Sequence, residues 1–432
     1  MIPKILRFLW GEVSNEEFKK FGILSLALLF IIGTYWIVRP IKDSLFLILV
    51  GKNFLSYAKI LSLISLGFLL MLYSKLVDWF EKHHLVYFLN SVLGLFLFFI
   101  AFIITNFPEI YTQRSFMFQF IGWIFFVGSE SLLVLQFSLF WSFVSSSVDT
   151  ATAKKGYPLI VAAAQLGAIA GPLLTLRVSS IGIAPLLFIA GFCMLGSALV
   201  IKIFTLLHHQ AFDGSRGMEG KPTGSIEGLR LLMSHPYLIG IFFITMFPAM
   251  LGEILNFSML FLVETSFPTP EKIIVFLGIY GLLVNSASFI FAFFGTSFFL
   301  RTWGLAAGLL FYPITIMVVI IYTWVFHSLW TIVIAMIVLK GLEHALDQPC
   351  REMMFIPTSK DIMFKAKGWI GAFGGRSARG ISAGLVTVFV AMGDLVFYGS
   401  LVSLGLIGLW LPAAWYVGKK NNKLVEEGKI LT

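Results

Sequence analysis

The sequence predicts an all-α, polytopic membrane protein with about twelve transmembrane helices arranged as two parallel six-helix repeats. Composition is the first reason. Of the 432 residues, 58% are hydrophobic and 12% are charged, with a mean hydropathy of +0.93, whereas a water-facing surface needs about a quarter charged residues. The second reason is segmentation, because apolar runs long enough for a span of ~20 residues recur from end to end. The third is that short correspondences about 213 residues apart link the two halves.

Taken in order, the expected spans are 19–48, 55–77, 85–106, 116–144, 157–178, 182–206, 236–262, 272–299, 303–325, 329–355, 367–392 and 395–417. Residues 1–20 carry charges of both signs and no small-residue cleavage site, so a short cytoplasmic segment is expected and not a cleaved signal peptide. The longest polar stretch, 208–235, holds Gly214, Gly217, Gly220, Pro222 and Gly224. It reads as a cytoplasmic linker between an N-terminal half (1–207) and a C-terminal half (236–432). Most of the 31 Lys and Arg residues then fall on one side of the membrane, and only Lys52, Arg114, Arg177 and Lys272 fall in the opposite loops. That bias places both termini in the cytoplasm of a positive-inside bilayer; the membrane expected is a bacterial inner membrane. The net charge of +9 is thereby explained without nucleic acid, and the partner expected is the lipid bilayer.

The internal correspondences run in the same order in both halves. Gly128-Ser129-Glu130 matches Gly341-Leu342-Glu343, Lys155-Gly156-Tyr157 matches Lys367-Gly368-Trp369, and Gly167 to Gly171 matches Gly380 to Gly384. An even number of spans per half makes the repeats parallel, the organisation of major-facilitator-like carriers, which hold substrate midway between the halves. Paired small residues such as Gly167 and Gly171 also permit close helix packing, and packing alone is sufficient reason for them.

Charge inside the spans carries the chemistry, since each such group costs roughly 2.5–3.5 kcal/mol on insertion scales. Span one holds Arg39, Lys42 and Asp43, which a spacing of three or four residues stacks on one helical face, with Pro40 loosening the backbone between them. Asp43 neutralises at most one cation, so an anion ligand is expected for the other. In span ten Lys340, Glu343, His344 and Asp347 share a face, followed by Arg351 and Glu352. Span eleven opens on Lys365 and Lys367 and sets Arg376 and Arg379 one turn apart among glycines. The planar fork of arginine suits phosphate oxygens, while ion pairs from these arginines to Glu343 or Asp347 are the competing reading. Glu253 stands alone in span seven and is expected to partner Lys42 or Lys340; Glu130 in span four is left open between partner, proton site and inert carboxyl. Tyr35, Trp36 and Trp141 are candidates for stacking on a base. The glycine-rich run lacks the Lys-Ser/Thr of a phosphate-binding loop, His83-His84 and His208-His209 lie in loops away from metal-ligand spacing, and Cys193 and Cys350 read as core residues. Neither catalysis nor a metal or other cofactor is expected.

Several motifs resemble those of the ATP/ADP translocase family, the nucleotide carriers of plastids and intracellular bacteria. They are Glu17-Phe18-Lys19-Lys20-Phe21, Tyr35-x-x-x-Arg39-x-x-Lys42-Asp43-Ser44-Leu45, Phe140-Trp141, Ala153-Lys154-Lys155-x-Tyr157-Pro158-Leu159, Glu253, Glu352-Met353-Met354-Phe355-Ile356-Pro357, and Lys365-Ala366-Lys367 continuing to Gly374-x-Arg376. The resemblance implies twelve spans, exchange of nucleotides such as ATP and ADP, and essential intramembrane Lys and Glu, carried over best onto Lys42, Glu253 and Lys367. The chain departs from the family pattern at Thr152, Val144-Ser145-Ser146, Gly371 and Arg379-Gly380, where the family has an acid, an Asn, an Asp and Lys-Ser. The substrate-binding set expected is therefore Arg39, Lys42, Asp43, Glu253, Lys340, Glu343, Lys367, Arg376 and Arg379, in a monomeric carrier for nucleotide phosphates. A proton-coupled carrier of another phosphorylated anion is the alternative, and a non-transporting membrane protein is the reading from another class.

Overall fold

The computed structural model describes residues 15–79, 82–111, 115–147, 150–207, 230, 232–291, 296–358, 370 and 374–430. Every expected span meets a helix among these residues. They are α1 (Asn15–Leu49), α2 (Leu55–Trp79), α3 (Lys82–Asn106), α4 (Phe116–Ser147), α5 (Thr150–Thr175), α6 (Ile183–Leu207), α7 (Pro236–Ser266), α8 (Pro270–Ile290), α9 (Thr296–Val325), α10 (Leu329–Leu342), α11 (Gly375–Ala391) and α12 (Leu395–Glu426). α10 runs on through a π-helical turn, Glu343–Asp347, into a final α-helical piece, Gln348–Met354. Eight of the helices (α1, α3, α4, α6, α7, α8, α9 and α12) are long and apolar enough to cross a bilayer, and the chain is a multi-pass integral membrane protein. Most of the expected linker lies outside the described residues, as do Lys365 and Lys367.

Two boundaries differ from the sequence expectation, each for a physical reason. Residues 296–299, expected to end span eight, open α9, because the phenylalanines around them give hydropathy no polar break to mark the turn. α9 is in fact two pieces joined at Gly304, whose φ of 74° is a left-handed conformation suited to glycine. α12 continues to Glu426, well past residue 417, because its inner face stays buried after the apolar run ends. Val417, Asn421 and Leu424 all pack inward, and Asn421 Nδ2 donates to Tyr237 OH at 2.8 Å, which donates in turn to the Met354 carbonyl at 2.7 Å.

Contacts group the residues into two compact units, the first within Met1–Lys52, Leu61–Glu219 and Phe267–Leu282, the second within Asn53–Ile60, Gly220–Ser266 and Leu283–Thr432. The start of α8 therefore belongs to the first unit, where Ser44 Oγ donates to the Pro270 carbonyl at 2.9 Å. The start of α2 belongs to the second, where Thr387 Oγ1 meets Ser56 Oγ at 2.9 Å.

Within each unit the packing partners correspond. α1 packs against α4, α5 and α6, and α3 against α4 and α6; α7 packs against α10, α11 and α12, and α9 against α10 and α12. Adding six to each label in the first list gives the second, so the internal repeat of the sequence is a repeat of packing. α1 owes its central place to small residues. A Cβ on Gly167 of α5 would fall 2.6 Å from the Leu29 carbonyl oxygen, and one on Gly171 would fall 2.8 Å from that of Gly33, so the two backbones are in direct contact. Gly384, the counterpart of Gly171, has nothing within 4 Å of such a Cβ. The repeated glycine is used for close packing in the first unit only.

Candidate functional site

Lys42 is 2% exposed, and its Nζ lies 2.6 Å from Asp43 Oδ1 and 2.8 Å from Glu130 Oε2. Neighbouring residues on a helix point apart, so the pairing with Asp43 is possible only because the long lysine stem folds back. Glu130 comes from α4, one turn beyond Phe126, whose ring centroid is 4.3 Å from the same Nζ. α4 thus presents a ring and a carboxylate to one ammonium. Asp43 is nearly as buried as Lys42, at 5%, while the Glu130 side chain is 25% exposed. A buried ion pair of this kind is held by its geometry and is costly to break from one side.

Arg39 sits one turn earlier on α1, where its Nη1 donates to Tyr35 OH at 3.1 Å and its guanidinium lies 5.4 Å from the centroid of the Trp36 ring. Trp36 is lodged against glycines: a Cβ on Gly281 would come 2.6 Å from its ring, and one on Gly171 would come 2.7 Å from its Cβ. Trp36, a base-stacking candidate, is a buried side chain packed against these glycines. Trp141, another such candidate, is engaged edge-on with Tyr157 at 5.4 Å. α1 remains one continuous helix across Pro40, which does not unwind it.

The second unit carries its charges on α10. Lys340 Nζ binds Glu343 Oε2 at 2.7 Å, and Arg351 Nε lies 3.2 Å from Asp347 Oδ2. Lys340 also lies against α7, since a Cβ on Gly252 would be 3.6 Å from its Nζ. The neighbouring Glu253 nevertheless does not pair with Lys340, which binds Glu343 instead. Glu253 Oε2 is buried with no hydrogen-bond partner among the described residues. Arg376 is exposed and Arg379 half-buried in the first two turns of α11. Among the described residues neither is tied to Glu343 or Asp347, which pair within α10 instead. Lys367 lies outside the described residues. No cluster of three or more metal-ligating side chains converges among the described residues.

The structure thus gives Glu130 a definite place, as the second carboxylate on Lys42. The only sequence signal for it was its position in the repeat, opposite Glu343, which pairs with a lysine too.

Residues 2–120 match the family model for the TLC ATP/ADP transporter. Over 98% of both chains, the protein is 22% identical to ADP,ATP carrier protein 3 of Rickettsia prowazekii (strain Madrid E). The chain is thus similar, at low identity, to proteins of the ATP/ADP transporter family. It is also 23% identical to the chloroplastic ADP,ATP carrier protein 2 of Arabidopsis thaliana, over 48% of this chain and 37% of that one. Among solved structures, a bacterial homologue of the iron transporter ferroportin in its inward-facing state has a TM-score of 0.64 at 14% identity, covering 94% of this chain and 100% of that one. The nucleoside transporter NupG has a TM-score of 0.56 at 15% identity, covering 94% of this chain and 98% of that one. At such identities these two likenesses speak to the fold, which is that of major-facilitator-like transporters. The family match takes in α1 and therefore Arg39, Lys42 and Asp43, whereas Glu130 lies beyond it.

Proposed function

We propose that this protein is a carrier that exchanges nucleotide phosphates across its membrane, most simply ATP for ADP, by alternating access. The observation that carries the reading is the buried Lys42 bound by Asp43 and Glu130, in a chain whose curated relatives are ADP,ATP carriers along its whole length.

The chemistry follows from charge balance. A buried lysine matched by two carboxylates is satisfied without substrate, so an incoming phosphate must take the place of one of them. Glu130 is the more accessible of the two and is the group to yield. Arg39 lies one turn away to share the phosphate charge. In the second unit Lys340, Arg376, Arg379 and Lys367 supply further cations, with Glu343 and Glu253 as counter-charges when the site empties. A carrier whose empty state is held by internal ion pairs reorients readily only when loaded, and that favours exchange over net uptake. The layout proposed is six helices on each side of the 208–235 linker, both termini cytoplasmic, in a bacterial inner membrane as a monomer.

The test is competition against labelled ATP uptake in intact cells expressing the chain. ADP and ATP are expected to compete best, and Lys42→Ala to abolish uptake while the protein still inserts. Undiminished uptake by Lys42→Ala would remove the site.

A further inference from the structure

Arg351, in the last α-helical piece of α10, has no role in the site described so far, yet it stands on an unusual stretch of helix. Across Glu343–Asp347 the helix widens, and the Gln348 N–H reaches back five residues to the Glu343 carbonyl. Pro349, with no N–H to give and a ring that crowds the preceding turn, follows at once. π turns set into α-helices are found frequently at functional sites.

The turn leaves Asp347 beneath Arg351, with 3.2 Å between Oδ2 and Nε. The contact is an ion pair by distance but is not aligned as a hydrogen bond, since Asp347 Oδ2 is buried and has no hydrogen-bond partner among the described residues. The Asp347 side chain is 2% exposed and that of Arg351 25%. Among the described residues Arg351 makes no other ion pair or hydrogen bond. A guanidinium carries five N–H donors, so its Nη edge is left without a protein acceptor among those residues. A half-open cation is too costly to face lipid, so a place beside the water of a transport path is the natural one for it.

We propose that Arg351 is an anion ligand of that path, a fork for the terminal phosphates of the transported nucleotide, and that Asp347 is its positioning residue. Asp347 anchors the guanidinium from its Nε side and leaves the opposite edge for two parallel N–H···O bonds to phosphate oxygens. This deepens the nucleotide-exchange reading and rests on it, so the test includes a probe that needs no nucleoside.

Purified full-length protein is titrated with inorganic pyrophosphate while its melting temperature is followed, and nucleotide exchange is measured in reconstituted vesicles. Arg351→Lys keeps the charge and loses the fork. It is expected to raise KM for the nucleotide about tenfold with kcat little changed, and to shift the pyrophosphate midpoint by a similar factor. Asp347→Asn is expected to move both quantities in the same direction, and the double variant to be no worse than Arg351→Lys alone, because the carboxylate acts only through the guanidinium. An unmoved KM and pyrophosphate midpoint in Arg351→Lys, with a lower melting temperature alone, would make the pair a structural tie and overturn the proposal. A wild type that ignores pyrophosphate overturns it as well. A wild type that responds to pyrophosphate but exchanges no nucleotide defeats the exchange reading, and the pyrophosphate midpoints of the variants then decide the role of Arg351.

Discussion

Replacing Lys42 with methionine keeps the length of the side chain and removes the one charge that holds Asp43 and Glu130 together. The structure sets the cost. Both carboxylate oxygens lie within 2.6 and 2.8 Å of the same Nζ, so they are at most about 5.4 Å from each other. At an effective dielectric near 20, two unit charges at that separation repel by about 3 kcal/mol. The expected destabilisation of Lys42→Met is therefore about 3–5 kcal/mol, in line with removing one partner from a buried ion pair. Lys42→Met combined with Glu130→Gln removes the repulsion and should recover about 3 kcal/mol of that loss. What remains is the price of leaving Asp43 buried without its lysine. Reversible unfolding in mixed micelles, followed by tryptophan fluorescence, measures all three forms. The reasoning fails if Lys42→Met lies within about 1 kcal/mol of wild type, or if the double variant is no more stable than Lys42→Met.

Three further predictions concern the scaffold. Gly167→Ala forces a Cβ to within 2.6 Å of the Leu29 carbonyl oxygen, whereas Gly22→Ala meets nothing within 4 Å. The first should lose about 1–3 kcal/mol and the second should be neutral or gain up to about 1 kcal/mol, as read from paired melting curves. Tyr237→Phe strands the Met354 carbonyl and Asn421 Nδ2, both bonded to the hydroxyl, and should cost about 1–3 kcal/mol; an unchanged melting temperature would show that the α7–α12 contact does not depend on that oxygen. Burial, reinforced by the negative charge of Glu271, raises the Tyr111 hydroxyl above the ordinary tyrosine range in the short loop between α3 and α4. An unfolded tyrosine ionises near pH 10 while the folded one keeps its proton. The stability held below that pH is therefore lost as pH rises from there toward the folded value, and Tyr111→Phe should flatten the alkaline fall in melting temperature.

Much of the fold could be read directly from the sequence, because a bilayer demands helices of fixed length and the chain obeys. Boundaries failed where hydropathy carries no information, as in the phenylalanine-rich apolar run before Thr296 and at the polar but still packed end of α12. The site was legible in its residue types and less so in its pairings. Arg39, Lys42 and Asp43 announced themselves as charges inside an apolar run, but which acid holds Lys42 depends on where α4 crosses α1, and no spacing within one helix encodes that. The same gap hides Glu253 from Lys340, one of the two lysines expected for it, which Glu343 holds. The packing of Trp36 was hidden for a related reason, since the glycines against it, Gly171 and Gly281, lie far away in the sequence.

The central claim is exchange, and counter-transport in vesicles tests it most directly. Reconstituted protein is given labelled ATP outside, with or without unlabelled ADP inside. Internal ADP is expected to accelerate ATP entry, and Lys42→Ala to remove both the basal and the accelerated flux. Entry at one rate regardless of internal ADP, driven instead by an inward proton gradient, would contradict the account.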